Sequence, residues 1–255
     1  MIRIDSVIDQ TFIRQADWFD SIDSTNTFLL QSDGEGKLLP YLVGANEQIQ
    51  GRGRGVKRWW SQQGALTFSL LVSPMQWGVP PEKWPLMGLA TGLAMSQAVS
   101  GRVPGADVRI KWPNDVYLDG KKVCGILLET HPSQSGAVVV GIGLNVNNSL
   151  IGAPEEIRGT ATSLVDETGS LHDRTDVLVS VLQQLELEFT HLAEDSAGMI
   201  QRIRERCYLT GRFITVSEAG ADVSGTCQGV DDDGALRLLT EHGPQRVLAG
   251  LITLN

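Results

Sequence analysis

The sequence predicts an α+β protein in which a mixed or antiparallel sheet carries helices and a small all-β module follows at the C-terminal end. Three observations lead there. Predicted strands succeed one another through hairpin signals instead of alternating with helices, which argues against a doubly wound sheet. Two longer segments have the length and apolar pattern of helices packed on that sheet. After Gly211 the texture changes to short alternating runs punctuated by Gly220, Gly234 and Gly243. The predicted division is residues 1–209 and 210–255.

In chain order, the first twenty residues hold one short amphipathic stretch ending in Trp18-Phe19-Asp20-Ser21-Ile22, too little for a separate N-terminal module. Ser24-Thr25-Asn26-Thr27 supplies capping side chains before Phe28-Leu29-Leu30, so a short helix starts here and stops at Gly34. Tyr41 to Gln48 and Ala65 to Ser73 read as strands on either side of a glycine-rich basic loop. Glu82 to Val99, opened by Pro80-Pro81 and closed by Gly101, reads as one buried helix. Strands are expected at Val108 to Lys111, Val116 to Leu118, Val123 to Leu128 and Ala137 to Val146, with Asp119-Gly120 as a hairpin turn. Thr175 to Leu192 places Leu178, Val181, Leu182, Leu185, Phe189 and Leu192 on one helical face behind Asp173 or Thr175 as cap, and a second helix runs from about Met199 to Leu209. The last strands are expected at Phe213 to Ser217, Val223 to Gly229, Leu236 to Thr240 and Arg246 to Leu251.

A chain of 255 residues that is 42% hydrophobic can build a real core, which excludes disorder. Its net charge of -9 repels phosphate backbones, so nucleic acid is not an expected partner. Cys124, Cys207 and Cys227 are unsuited to a disulfide framework, and His131, His172, His191 and His242 show no metal-ligand spacing. With no signal-peptide core and no membrane-length apolar run, a cytoplasmic location without a membrane partner is expected.

The acidic total hides one exception. From Gln48 to Pro81 there is no carboxylate, and the charges are Arg52, Arg54, Lys57 and Arg58. In Gly51-Arg52-Gly53-Arg54-Gly55 the glycines let the backbone bend while the arginines offer forked donors for carboxylate or phosphate. A flexible solvated loop is the competing reading, and Trp59-Trp60 directly after the cations weighs against it. Lys111-Trp112-Pro113-Asn114-Asp115 should form a rigid turn at a strand end, beside the hairpin carrying Lys121-Lys122. Gly141-Ile142-Gly143-Leu144-Asn145 breaks a β-branched strand with two glycines, marking either a bulge or a close approach.

Taken in order, Ser24-Thr25-Asn26, Gln48 with Gly51-Arg52-Gly53-Arg54, Trp59, Lys111-Trp112-Pro113-Asn114-Asp115, Lys122 with Gly125-Ile126-Leu127, and Gly141-Ile142-Gly143-Leu144-Asn145 resemble the biotin protein ligases. The likeness is close over residues 18–165, including Ala161-Thr162-Ser163-Leu164, and looser through the C-terminal module, which looks like that family's SH3-like barrel. Two features depart from it: Gly55, Val56 and Lys57 replace the usual basic residue, Gly and Arg, and the DNA-binding module of the bifunctional members is not expected here.

The resemblance implies a monofunctional ligase that makes biotinyl-5'-adenylate from biotin and ATP and transfers biotin to a lysine of a carrier domain such as that of acetyl-CoA carboxylase. It implies catalytic roles for Arg54, Lys122, Lys111 and Asp115, with a purely structural role in the turn as the alternative for Asp115. It puts Ser24, Thr25, Asn26, Gln48, Arg52, Gly53, Arg54, Lys122 and Gly125 around biotin, and Arg52, Arg54, Trp59, Lys111, Asn114, Gly141, Gly143 and Asn145 around ATP or the adenylate. No side chain is assigned to a metal; Mg²⁺ would be held by the phosphates and water. A homodimer is compatible with this reading. The alternatives are a lipoate or octanoyl ligase, whose Arg-Arg-x-Ser-Gly-Gly-Gly stretch is missing, and a biotin-responsive regulator, which needs a DNA-reading domain.

Overall fold

The computed structural model describes residues 2–32, 36–218 and 220–254. Helix α1 (Ile4–Gln10) and strand β1 (Gln15–Ile22) precede α2 (Thr25–Gln31), β2 (Tyr41–Gln48), β3 (Leu66–Val72) and α3 (Met87–Ser100). Strands β4 (Val108–Lys111), β5 (Asp115–Leu118), β6 (Lys121–Thr130) and β7 (Val138–Leu144) complete a seven-stranded sheet of order β1-β2-β3-β7-β6-β5-β4. The β1–β2 pair is parallel and the other neighbours are antiparallel, so the sheet is mixed.

Side-chain alternation divides this sheet into two working faces. Leu66, Phe68 and Leu70 of β3, with Val140, Ile142 and Leu144 of β7, join the main core beneath α3. The long helix α6 (Arg174–Glu194) packs over α3, and its cap is Asp173, whose carboxylate accepts from the N–H groups of Thr175 and Asp176. The opposite face carries α2 over a smaller cluster of Leu29, Tyr41, Val43, Leu71, Ala137 and Val139. Short helices α4 (Glu155–Arg158) and α5 (Leu164–Thr168) lie between β7 and α6, and α7 (Ser196–Glu205) follows α6.

Five strands, β8 (Phe213–Glu218), β9 (Ala221–Val230), β10 (Leu236–Thr240), β11 (Gly243–Val247) and β12 (Leu251–Leu254), form a separate antiparallel sheet of order β11-β10-β9-β8-β12. It is tied to the larger unit by Trp112 Nε1 donating to the Gly234 carbonyl at 2.9 Å and by Arg204, which reaches the Val230 carbonyl at 2.6 Å and Asp232 at 2.7 Å.

Several expectations are corrected. The early amphipathic stretch is a helix plus an edge strand, β1, whose residues are mostly half-buried and so show no clean alternation. The segment from residue 82 is not one helix: Pro81–Leu86 is a 3-10 turn containing Pro85, and the α-helix starts at Met87. The helix expected from Met199 to Leu209 runs instead from Ser196 to Glu205. Arg246 to Leu251 joins what are two strands, because the turn between β11 and β12 is apolar Leu248-Ala249-Gly250. Helices α4 and α5 went unforeseen, and the Gly34 stop lies outside the described residues. Asp119 and Gly120, at φ 47° and 80°, make the expected two-residue turn joining Leu118 to Lys121. Among the described residues no helix is long and apolar enough to cross a membrane.

Candidate active site

A cavity opens on the α2 side of the sheet, with about 930 Å³ of space including the open solvent at its mouth. Register explains how separated motifs reach it. Asp115 pairs with Gly125, Gly125 with Gly143 and Gly143 with Thr67, which puts one rung of small or polar residues across four strands. The next rung is Leu127, Gly141 and Ser69. Of the residues that the resemblance assigns to catalysis, biotin or nucleotide, all but Asn145 line this cavity.

At the start of α2, Ser24 caps the helix by accepting from the Thr27 N–H. Thr25 and Asn26 are buried, and their polar atoms form one network. Gln48 Oε1 accepts from the Thr25 N–H at 2.8 Å and from its hydroxyl at 3.0 Å, and that hydroxyl lies 2.7 Å from Ser69 Oγ. Asn26 Oδ1 accepts from Ser69 at 2.5 Å, while its Nδ2 donates to Glu129 at 2.9 Å and to the Leu127 carbonyl at 3.3 Å. The glycines of β7 serve these side chains: a Cβ at Gly141 would stand 2.0 Å from Asn26 Oδ1, and one at Gly143 would stand 2.3 Å from the Trp59 ring. Neither marks a bulge, since the register of β7 with β3 and β6 is unbroken. The room these two glycines leave is taken by Asn26 and Trp59, and both glycines also line the cavity.

The basic loop is a narrow hairpin. Arg52 bridges Arg58, the Gly53 N–H donates to the Lys57 carbonyl, and the Trp59 N–H donates to the Gly51 carbonyl. Gly51 is required by close approach, because a Cβ there would lie 2.4 Å from the Trp59 carbonyl oxygen. Arg52 makes a two-armed ion pair with Glu129 at 2.9 and 2.7 Å. Arg54 Nη1 donates to the Gly250 carbonyl at 3.1 Å, so the C-terminal sheet supplies part of the wall with Gly250, Leu251 and Ile252. The departing residues Gly55 and Val56 sit at the exposed tip, Val56 almost wholly in solvent.

Opposite the loop, Lys122 Nζ pairs with Asp115 Oδ1 at 2.6 Å and lies 6.0 Å from the centre of the Trp59 ring. Lys111 Nζ donates to the Tyr117 hydroxyl at 3.0 Å. Burial lowers the Lys111 pKa, and burial with the nearby Asp115 charge raises Tyr117 to about 12, so the phenol stays neutral. Asn114 is held by its Nδ2 donating to the Ile126 carbonyl at 2.6 Å. Trp59 Nε1 is a buried donor without a partner among the described residues.

Asn145 is buried and fully engaged, donating to the Thr162 carbonyl at 2.9 Å and accepting from Asn148 at 2.9 Å. It lines an adjacent cavity that shares Arg58, Trp59 and Lys122 with the first and adds Tyr117, Leu150 and Ile157. Sequence reasoning missed Ser69, Glu129, Tyr117 and the Gly250 turn. Ser69 and Glu129 carry a period-two signal, since they share a strand face with Thr67 and with Gly125. Gly250 carries none, being 196 residues from its partner.

Residues 18–147 match the biotin/lipoate A/B protein ligase family, and residues 209–254 match the biotin protein ligase C-terminal domain. The chain is 34% identical over 229 residues to the biotin–[acetyl-CoA-carboxylase] ligase of Mycobacterium tuberculosis, covering 88% of this chain and 83% of that one. It is 32% identical over 218 residues to the bifunctional ligase/repressor BirA of Bacillus spizizenii, covering 84% of this chain and 66% of that relative's length. The biotin protein ligase of Aquifex aeolicus in complex with biotin and ATP superposes with a TM-score of 0.79 at 30% identity, over 95% of this chain and 99% of that one.

Proposed function

The chain belongs to the biotin/lipoate A/B protein ligase family, and from that premise we propose that it activates biotin with ATP and transfers the biotin to a lysine of a carboxylase carrier domain. The observation that carries this reading is one cavity lined both by neutral donors and acceptors (Ser24, Thr25, Asn26, Gln48) and by cations (Arg52, Arg54, Lys111, Lys122). Biotin has that duality: a compact ureido ring whose N–H and C=O groups need partners when buried, and a chain ending in a carboxylate. The expected division into a catalytic domain, residues 1–209, and a C-terminal module belongs to the same reading, and the three free thiols fit a reducing cytoplasm.

In the first step a biotin carboxylate oxygen bonds to the α-phosphorus of ATP and pyrophosphate leaves. Two anions must meet, so cations fixed beforehand lower the barrier. Arg52, Arg54 and Lys122 hold the carboxylate and phosphate oxygens, and each charge-assisted contact contributes about 1.5–3 kcal/mol. Trp59 offers an indole face and an uncommitted Nε1–H, and the adjoining cavity takes the nucleotide. Mg²⁺ enters with the substrate as MgATP. Among the described residues no cluster of three ligands could cage it, and Asp115, the carboxylate on the cavity wall, is engaged by Lys122.

In the second step the acceptor lysine's neutral amine bonds to the acyl carbon, AMP leaves, and a proton is lost. Asp115 is the carboxylate in place to take it, while its ion pair orients Lys122. The test is to incubate the chain with biotin, MgATP and a carrier domain and weigh the intact carrier. A mass increase of one biotinyl group, biotin less one water, is expected. No product at saturating substrate defeats the proposal, and product with octanoate or lipoate in place of biotin moves the chain to the other branch of its family.

A further inference from the structure

Glu129 is a carboxylate that neither step uses. It stands on β6 two positions beyond Leu127 and four beyond Gly125, so its side chain leaves the sheet on the cavity's side without lining the cavity. Its oxygens accept from both terminal nitrogens of Arg52, and Oε2 also accepts from Asn26 Nδ2 at 2.9 Å. One group thus touches the buried polar end of the site and its arginine loop. Its side chain is 24% exposed and that of Arg52 is 41% exposed.

We propose that Glu129 is a positioning residue for the ligation described above, fixing Arg52 and Asn26 relative to each other. The inference rests on that function. The hairpin fixes the direction in which the Arg52 Cβ leaves the loop, but not the torsions of the long side chain beyond it. A two-armed pair fixes those. Two of the five guanidinium N–H donors go to Glu129, and three remain for an anion. Asn26 is fixed by the same carboxylate, so the ureido end and the anion end of the site keep a set separation before substrate arrives.

Electrostatics alone makes the opposite prediction, because removing Glu129 frees a cation beside two anionic substrates and should tighten their hold. Glu129→Gln keeps an oxygen for Asn26 but removes the charge that Arg52 uses. With the full chain loaded from biotin and MgATP, biotinyl-AMP should leave this variant about tenfold faster, equivalent to ~1.4 kcal/mol. The same change in an Arg52→Ala background should add nothing, and Glu129→Asp should recover part of the retention. Retention that is unchanged or longer in Glu129→Gln overturns the proposal. So does an equal loss with and without Arg52, together with a lowered melting temperature, which is what a purely structural role would give. A parent chain that makes no biotinyl-AMP defeats the function itself; a parent that makes it while Glu129→Gln behaves identically defeats only this inference.

Discussion

A single methyl group added at Gly141 tests the site's construction. The new carbon would lie 2.0 Å from Asn26 Oδ1 and 2.8 Å from its Cγ, whereas ordinary contact begins at 3.4 Å, so the amide would have to retreat by 3.4 − 2.0 = 1.4 Å. Asn26 is 4% exposed and cannot give that distance without moving away from Ser69 at 2.5 Å and Glu129 at 2.9 Å. Losing one neutral and one charge-assisted hydrogen bond costs about 2–4.5 kcal/mol. In a chain of this size that is a fall in melting temperature of roughly 4–18 °C. Biotin affinity should fall with it, by about tenfold or more, because the displaced amide no longer meets the ureido ring. Gly88→Ala is the control: it lies in α3 with nothing within 4 Å of the added carbon, and it should be neutral or slightly stabilising. Thermal unfolding and calorimetric biotin titration, run on both variants, decide the matter. If Gly141→Ala melts within about 2 °C of the parent and binds biotin equally well, the packing argument is wrong.

Arg54→Gly removes the contact with the Gly250 carbonyl and one forked cation, so biotinyl-AMP release in a chase experiment should speed up by about tenfold; unchanged retention counts against the loop as a clamp. Asp115→Asn should slow adenylate formation modestly by releasing Lys122 and slow transfer by about 10²-fold or more; an intact transfer rate rules out the base role. The Asp173 carboxyl is held down to about 2, most of all by its hydrogen bond from Arg3 and further by the N–H groups of Asp176 and Thr175 that it caps at the start of α6. A carboxyl depressed by folding adds stability above its unfolded pKa and loses it as pH falls through the folded one. Arg3→Ala should therefore lower the melting temperature at pH 7, with the two chains converging near pH 2; an equal gap at both pH values contradicts the linkage.

What the sequence disclosed follows from which signals are local. Strand β2 and the Asp119-Gly120 hairpin were legible because turn chemistry and β-rich runs act within a few residues. The one-sided face of α6 was legible because it repeats over 21 residues. Strand β1 was hidden by its position at a sheet edge, where both of its faces are half covered. The Leu248-Ala249-Gly250 turn was hidden because its residues look like strand interior, and only Gly250's φ of 142° marks the reversal. In the site, motif residues announce themselves by clustering along the chain. Ser69 stands between Phe68 and Leu70 and Glu129 follows Ile126-Leu127-Leu128, and both are found only once register shows what stands beside them.

The C-terminal barrel is near the size at which a module needs help to stay folded, and its supports are informative. Trp112 and Arg54, both from site motifs, donate to the carbonyls of Gly234 and Gly250, and the Cys207 and Cys227 thiols meet across the same seam. The contacts that steady the barrel therefore also set the position of the arginine loop. Gly250 shows how firmly: a Cβ there would lie 2.3 Å from Val216 Cγ1, and β12, which begins at the next residue, is paired residue by residue with β8. The group that holds Arg54 is thus a backbone carbonyl aimed by strand register, so no change of the Gly250 side chain can remove it without first disturbing the barrel. On the proposed function the cavity has to admit both a nucleotide and a protein lysine, and such a cavity cannot be sealed by core packing. Closing one wall with the turn and edge of the second sheet leaves the mouth open while keeping Arg54 in place.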